Sequence, residues 1–359
     1  MGGSWVEDLV AEAQRAITLD TIDRARQTGS FSKIILATDS LPLAERVGGG
    51  VEIEIDPAPF HFGERLREIV QKYAIKRPVY IGGGSAALLP ASDLALLAAQ
   101  IAEAEDAVIT NNLFSADLVA FTPGEAISRI DLPALDNPLA QLLRRQAGLQ
   151  HIPMPRTAAT QFDVDTPADL LVLKVHPSAG EHTKAYLDSL DLDVSRLQAA
   201  MRYFVDTEAE VLVAGRVGSY VWAHLESETA CRVRLLSEER GMRADGREER
   251  GEVRSILAFY LQEVGLERFF GTIAQLGQAA FIDSRVIFNH LGLKLSAADR
   301  FLSDLGQSES IADPFAKAFT TAAREAPIPI VLGGHSLVAG GLWAIVDAAW
   351  RENDERLTG

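Results

Sequence analysis

Asp163 and Asp165, in the run Phe162-Asp-Val-Asp-Thr-Pro-Ala-Asp169, are two carboxylates two residues apart on a stretch that reads as extended. Such a pair can share one hard cation, and Mg²⁺ prefers oxygen ligands completed by substrate phosphates. Both are therefore candidate catalytic and metal-binding residues. The same run also reads as a helix start, with Asp165 as N-cap and Pro167 in the first turn. Metal and cap roles compete here, and Asp165 is the stronger cap.

Other constellations carry weaker chemistry. Gly82-Gly83-Gly84-Ser85 ends an apolar stretch, and glycines there let an anion or base approach the backbone. A tight turn without ligand explains them as well. Asn111, Asn112, Ser115 and Asp117 fall where the next strand ends, as ligand contacts or Asx turns. Asp39 closes an earlier strand. Between Arg234 and Arg250 five arginines are interleaved with acids and with Gly241, Gly246 and Gly251. Such a loop is either solvated or a place where Arg240 and Arg247 gather a phosphate or carboxylate. Gly333-Gly334-His335-Ser336 follows another apolar stretch and presents a strand-to-helix turn, with His335 and Ser336 as anion contacts or Ser336 as a cap. Asp283, Arg285, Asp299, Arg300 and Asp304 lie in apolar helical surroundings and read as buried ion pairs.

The elements that must position these residues follow from periodicity. Val6 to Ala25 repeats apolar residues at helical spacing. Short apolar runs at 33–39, 51–55, 78–81, 107–110 and 117–121 then alternate with helical stretches at 62–73, 92–105 and 138–149. That alternation argues for a mostly parallel, layered sheet with helices on both faces. Ligands in such sheets bind beyond the carboxyl ends of the strands. His176-Pro-Ser-Ala-Gly180 breaks the pattern, which places an α/β domain at 1–177 and a second domain at 178–359. The second reads as mainly α-helical, with one short strand at 328–332.

With 359 residues, 47% of them hydrophobic, the chain is long enough for two cores. A formal charge of −16 opposes a broad nucleic-acid surface. The single Cys231 excludes an internal disulfide and multi-cysteine metal sites, which suits a reducing cytosol. No signal-like start and no apolar run of membrane-spanning length is evident, so a cytoplasmic protein without a membrane partner is expected.

Residues 17 to 175 resemble the GT-A-type nucleotidyltransferases, the group of molybdenum-cofactor guanylyltransferase, phospholactate guanylyltransferase and the sugar-nucleotide pyrophosphorylases. The resemblance rests on Lys33-Ile-Ile-Leu-Ala-Thr-Asp39-Ser40, which looks like the family's second strand, on Tyr80-Ile-Gly-Gly-Gly-Ser85 with Leu88-Leu89-Pro90, and on Asp163-Val-Asp-Thr-Pro-Ala-Asp169-Leu170. It implies a GT-A or Rossmann-like layered fold. It also implies a nucleoside triphosphate bound with Mg²⁺ and transfer of its nucleotidyl group to a small phosphorylated acceptor. Two features depart from the pattern. The family's glycine-rich triphosphate loop has no counterpart beyond Gly2-Gly3-Ser4, and Gly84-Ser85 stands where relatives often carry a metal-binding aspartate. A catalytically degenerate nucleotide-binding or regulatory protein is therefore the competing reading, with the helical half as a homodimer surface. A nucleotide-sugar glycosyltransferase, which needs no triphosphate loop, is the third.

Overall fold

A computed structural model describes residues 4–358. The Gly2 and Gly3 of the loop remnant lie outside the described residues. The fold is mixed α/β and divides into two compact units: residues 14–160 with 180–182, and residues 1–13, 161–179 and 183–359. They are called the middle unit and the outer unit below.

In the middle unit, the long helix α1 (Trp5–Thr28), of which residues from Gln14 onward belong here, precedes β1 (Ile35–Thr38), α2 (Leu41–Arg46), β2 (Glu52–Ile55), α3 (Phe62–Lys72) and β3 (Val79–Ile81). Then come α4 (Ala91–Glu103), β4 (Ala107–Thr110), β5 (Leu118–Thr122), α5 (Leu139–Arg145), β6 (Gln150–Pro153) and the short α6 (Ala158–Gln161). The strands form a parallel β1–β2 pair and a four-stranded sheet of order β3-β5-β4-β6. β5 runs antiparallel to both β3 and β4, so this sheet is mixed. Alternation of buried residues explains its two faces: Val108, Val119 and Phe121 pack with Phe62, Ile127 and Leu139, while Ile109, Leu118 and Ala120 pack with Leu94, Leu97 and Ile101. Helix α1 covers the β1–β2 pair through Leu19 and Ile22 against Leu36. It also binds the turn after β3, where Thr18 Oγ1 donates to the Gly83 carbonyl (3.3 Å) and Arg24 donates to the carbonyls of Ala86 and Ala87.

The outer unit corrects the expectation of a mainly helical second half with one strand. It begins α7 (Pro167–Val175), α8 (Glu181–Asp188), α9 (Ser195–Met201), β7 (Glu210–Gly215), α10 (Ser219–Glu228), β8 (Arg232–Ser237) and α11 (Ile256–Ile273). It continues β9 (Ala279–Asp283), α12 (Ser284–His290), α13 (Ala297–Asp304), α14 (Pro314–Glu325), β10 (Ile330–Gly333) and α15 (Leu342–Thr358). The four strands form an all-parallel sheet of order β10-β9-β7-β8. β7 and β9 are buried on both faces, so they carry no two-residue polarity alternation and resemble helix in sequence. One face packs Leu212, Ala214, Ile282 and Leu332 against α11 to α14. On the other, Phe281 stacks on Phe204 with ring centroids 5.2 Å apart. α11 consists of two helical segments that meet at Gly265, whose φ of +75° is non-helical. No described helix is long and apolar enough to cross a membrane.

Candidate functional site

Two groups of side chains meet at the edges of the two sheets, one in each unit. In the middle unit, β3 and β4 point the same way because each is antiparallel to β5. Their carboxyl ends and the start of β5 therefore share one edge. Gly82 N–H donates to the Asp117 carbonyl (2.8 Å) and Leu118 N–H to Asn111 Oδ1 (3.3 Å), which draws Gly82, Asn111 and Asp117 together. Ser85 N–H closes a turn on the Gly82 carbonyl (3.1 Å). A Cβ on Gly82 would stand 3.2 Å from Ser85 Oγ, so the turn is closely packed. Asn111 Nδ2 donates to the Thr160 carbonyl (3.1 Å), Asn112 Oδ1 accepts from Phe114 N–H (3.1 Å), and Ser115 Oγ donates to Asn137 Oδ1 (3.0 Å). Asn112 thus makes an Asx turn. Gly83 and Ser115 are open to solvent, and Asp39 is exposed just beyond β1.

Asp163 and Asp165 pack with the outer unit. Val164 between them is buried, whereas Asp163 is half-buried and Asp165 exposed. Asp165 is not the N-cap of α7. Thr166 takes that position, Pro167 follows, and Asp169 closes a capping box. The fully buried Asp169 Oδ2 accepts from Asp165 N–H (3.1 Å), Thr166 N–H (2.8 Å), Thr166 Oγ1 (3.0 Å) and Ser336 Oγ (2.7 Å). Its Oδ1 has no partner among the described residues. Burial, reinforced by the Asp165 charge, pushes the carboxyl up to about 7. Ser336 is thus spent on Asp169 and does not cap the following turn.

The register of the outer sheet sets its carboxyl edge on one level: Gly215 pairs with Ser237, Gly333 with Asp283, and Ala214 with Ile282 beside them. β7 leads to β8 on one side and β9 lies on its other side, so the chain reverses direction across the sheet between β7 and β9. In parallel sheets this is where a crevice opens for ligands. Gly215 has φ +124°, and a Cβ there would lie 2.3 Å from the Asp283 Cβ, so only glycine lets the two strand exits approach. Arg216 grips Asp283 with two bonds, Nε to Oδ2 (2.6 Å) and Nη2 to Oδ1 (3.0 Å). Arg285 grips the buried Asp304 the same way (2.9 and 2.5 Å), the buried ion pair read from the sequence. Desolvation still raises the Asp304 carboxyl to about 6 against the pull of Arg285.

His335 projects beside this crevice. Solvent reaches it, yet surrounding protein lowers its pKa, first by desolvation and then through the charges of Arg216 and Arg240. Arg240 has no side-chain partner among the described residues. Arg247 binds Glu239 (2.5 Å) and the Arg240 carbonyl (2.9 Å), so of the two arginines singled out from the sequence one is free and the other holds the loop together. Arg216 was not foreseen. Its signal was Gly215-Arg-Val-Gly218, a glycine-flanked turn between an apolar run and a helix. Cys231 is half-buried, and burial pushes its thiol up. Among the described residues no three His, Cys, Asp or Glu side chains gather as a metal-binding group. No protein-family model matches this chain, and no curated protein matches it.

Proposed function

We propose that this chain is a nucleotidyltransferase-like protein that binds a nucleoside triphosphate at the carboxyl edge of β3 and β4 and passes its nucleotidyl group to a small phosphorylated acceptor. The observation that carries this reading is the meeting of the Gly82–Ser85 turn with Asn111 and Asp117 at that edge. Two further features support it. Helix α1 packs on the β1–β2 pair and donates a hydrogen bond to the turn after β3. Backbone amides in a glycine turn and neutral amide side chains suit base and phosphate contacts, and catalysis would come from positioning and charge neutralisation.

Mg²⁺ belongs to this proposal. Asp163 and Asp165 flank buried Val164 and offer two hard oxygen donors, the number a cation needs when water and phosphate complete its shell. Mg²⁺ binding there is measured by itself. Asp163→Ala with Asp165→Ala removes it while leaving α7 folded, because the cap is Thr166 with Asp169.

The test of the main reading is thermal stability in a panel of nucleoside triphosphates and nucleotide sugars, with and without Mg²⁺, followed by pyrophosphate release on addition of phosphorylated acceptors. A ligand at 100 times its Kd stabilises the protein by ~2.7 kcal/mol. Pyrophosphate release supports transfer. Nucleotide binding without release points to the second reading, a binding protein on the same framework. The internal bonding of the Gly83 carbonyl and of the Asn111 side chain favours that reading. A shift with nucleotide sugars alone supports the glycosyltransferase, and no shift with any nucleotide rejects all three.

A further inference from the structure

The crevice between β7 and β9 in the outer unit belongs to no part of the nucleotide reading, and its charge pattern points to a ligand of its own. We infer that it is a binding site for a phosphorylated small molecule, whose phosphate is held by Arg240, Arg243 and Arg300 beside His335. Three observations converge on this. The chain-reversal point of a parallel sheet supplies the concavity, and aligned register brings Gly215, Ser237, Asp283 and Gly333 to its rim.

Most acids at the rim are already engaged. Asp283 is taken by Arg216, Asp304 by Arg285 and Glu239 by Arg247. Glu238 spends both oxygens on the start of α11, accepting from Ser255 Oγ (2.5 Å) and Ile256 N–H (2.9 Å). Positive charge is left over. Arg240 and Arg243 have no ion pair or side-chain hydrogen bond among the described residues, and half-buried Arg300 donates only to the Leu295 carbonyl (3.3 Å). Arg300 feels the like charges of Arg285 and Arg243 as well as the acids Glu248 and Asp304, and its pKa falls, first through desolvation. A half-buried guanidinium without an ion-paired carboxylate carries an electrostatic cost that a bound anion offsets.

Packing connects the two ends of the strip: Met242, between Arg240 and Arg243 in sequence, is buried against Val286, the neighbour of Arg285, and Arg285 binds Asp304 on the helix that carries Arg300. A Cβ on Gly334 would lie 4.0 Å from Arg285 Nε and 3.4 Å from Thr166 Cγ2, so the backbone next to His335 runs directly past Arg285. The loop that carries Arg240 and Arg243 contains Gly241, Gly246 and Gly251, all at positive φ. It is built of tight turns that leave these two side chains exposed. Planar forks from separate points around a tetrahedral oxyanion match phosphate better than a single carboxylate does. The site stands on the outer unit alone and holds whether or not the middle unit handles nucleotides.

The test uses the full chain with inorganic phosphate, phenyl phosphate and acetate as probes, at matched ionic strength. Calorimetry gives affinity, and the NMR titration of His335, assigned with His335→Gln, gives a local readout. Phosphate or phenyl phosphate should bind and raise the His335 pKa by about half a unit or more, since a nearby dianion favours the imidazolium. Arg240→Ala, an exposed side chain with no partner to lose, should weaken binding at least about tenfold. Arg300→Gln should do the same, and if it disturbs folding the Arg240 variant decides. Phenyl phosphate tighter than inorganic phosphate supports an organic phosphomonoester. An unmoved His335, equal affinity in Arg240→Ala, or acetate binding as well as phosphate would overturn the inference.

Discussion

Replacing Asp169 by asparagine should make the stability of the outer unit less dependent on pH, with a sign fixed by the structure. The native carboxyl is fully buried, and its pKa rises from 3.8 to about 7. A raised carboxyl binds its proton more tightly in the folded state. Stability from this group is therefore fully present below pH 3.8, falls as pH climbs, and is gone above about 7. At 1.36 kcal/mol per unit, a shift of about three units sets a ceiling of about 4 kcal/mol on that loss. Asparagine keeps an acceptor where Oδ2 receives its four donors and puts its amide at the unpartnered Oδ1 position. The variant should lie close to the parent near pH 4 and gain on it steadily up to pH 7, by at most about 4 kcal/mol. The protein is well suited to the measurement. All four tryptophans, Trp5, Trp222, Trp343 and Trp350, belong to the outer unit, so fluorescence-detected urea unfolding reports that unit selectively. Other titrating groups, Asp304 among them, occur in both proteins and cancel in the difference. A difference that stays flat between pH 4 and 7 would refute the assignment of a desolvated, proton-binding Asp169.

Three further outcomes follow from individual contacts. Gly215→Ala puts a Cβ 2.3 Å from Asp283 Cβ at φ +124° and should cost more than about 2 kcal/mol in the same fluorescence assay; a neutral result would mean that the β7 and β9 exits are not so close. Arg285→Met or Asp304→Leu alone leaves a buried uncompensated charge and should cost about 3–5 kcal/mol, while the double variant costs less than either, as a double-mutant cycle would show. In the middle unit, Glu54 is held at about 2 chiefly by its hydrogen bonds to Lys72 and Tyr73, so its contribution is present above pH 4.5 and lost as pH falls toward 2. Glu54→Gln should remove that acid-dependent part, and unchanged acid sensitivity of hydrogen exchange in β2 and α3 would count against it.

The middle unit was more legible in the sequence than the outer one, and the reason is where its strands sit. Its strands are mostly separated by well-marked amphipathic helices, so β1 to β5 could be read directly in order. What could not be read was the direction of β5, because a reversed strand has the same composition as a parallel one and only the backbone register of Gly82, Asn111 and Leu118 reveals it. In the outer unit, Glu210-Val-Leu-Val-Ala-Gly215 and Ala279-Ala-Phe-Ile-Asp283 are apolar on both faces and short, which periodicity cannot separate from helix. β8 did carry a signal: Arg232 and Arg234 face out while Val233 is partly buried. Its arginines mark it equally as a charged surface segment, which masks the alternation. Pairings such as Arg216 with Asp283, 67 residues apart, exist only once the sheet has formed.

The run from Asp163 to Asp169 shows how one sequence signal can have two sufficient causes. In this fold it braces the exit of β10. Ser336 binds Asp169, and a Cβ on Gly340 would fall 1.9 Å from the Gln161 carbonyl oxygen. A Cβ on Gly333 would touch that of Ala168 at 3.1 Å. The glycines of the turn and the Thr-Pro-Ala-Asp of the run are thus fitted to each other, with small residues where backbones meet and one buried carboxylate to collect the orphan donors. That fit accounts for Thr166, Ala168 and Asp169 without any ligand. Asp163 and Asp165 sit outside the buried row, half-buried and exposed respectively. Because the brace ends at Ser336, the next residue to its amino side, His335, is held at the rim of the β7–β9 crevice by a rigid support. The same packing thus gives Asp169 its structural role and fixes where His335 stands.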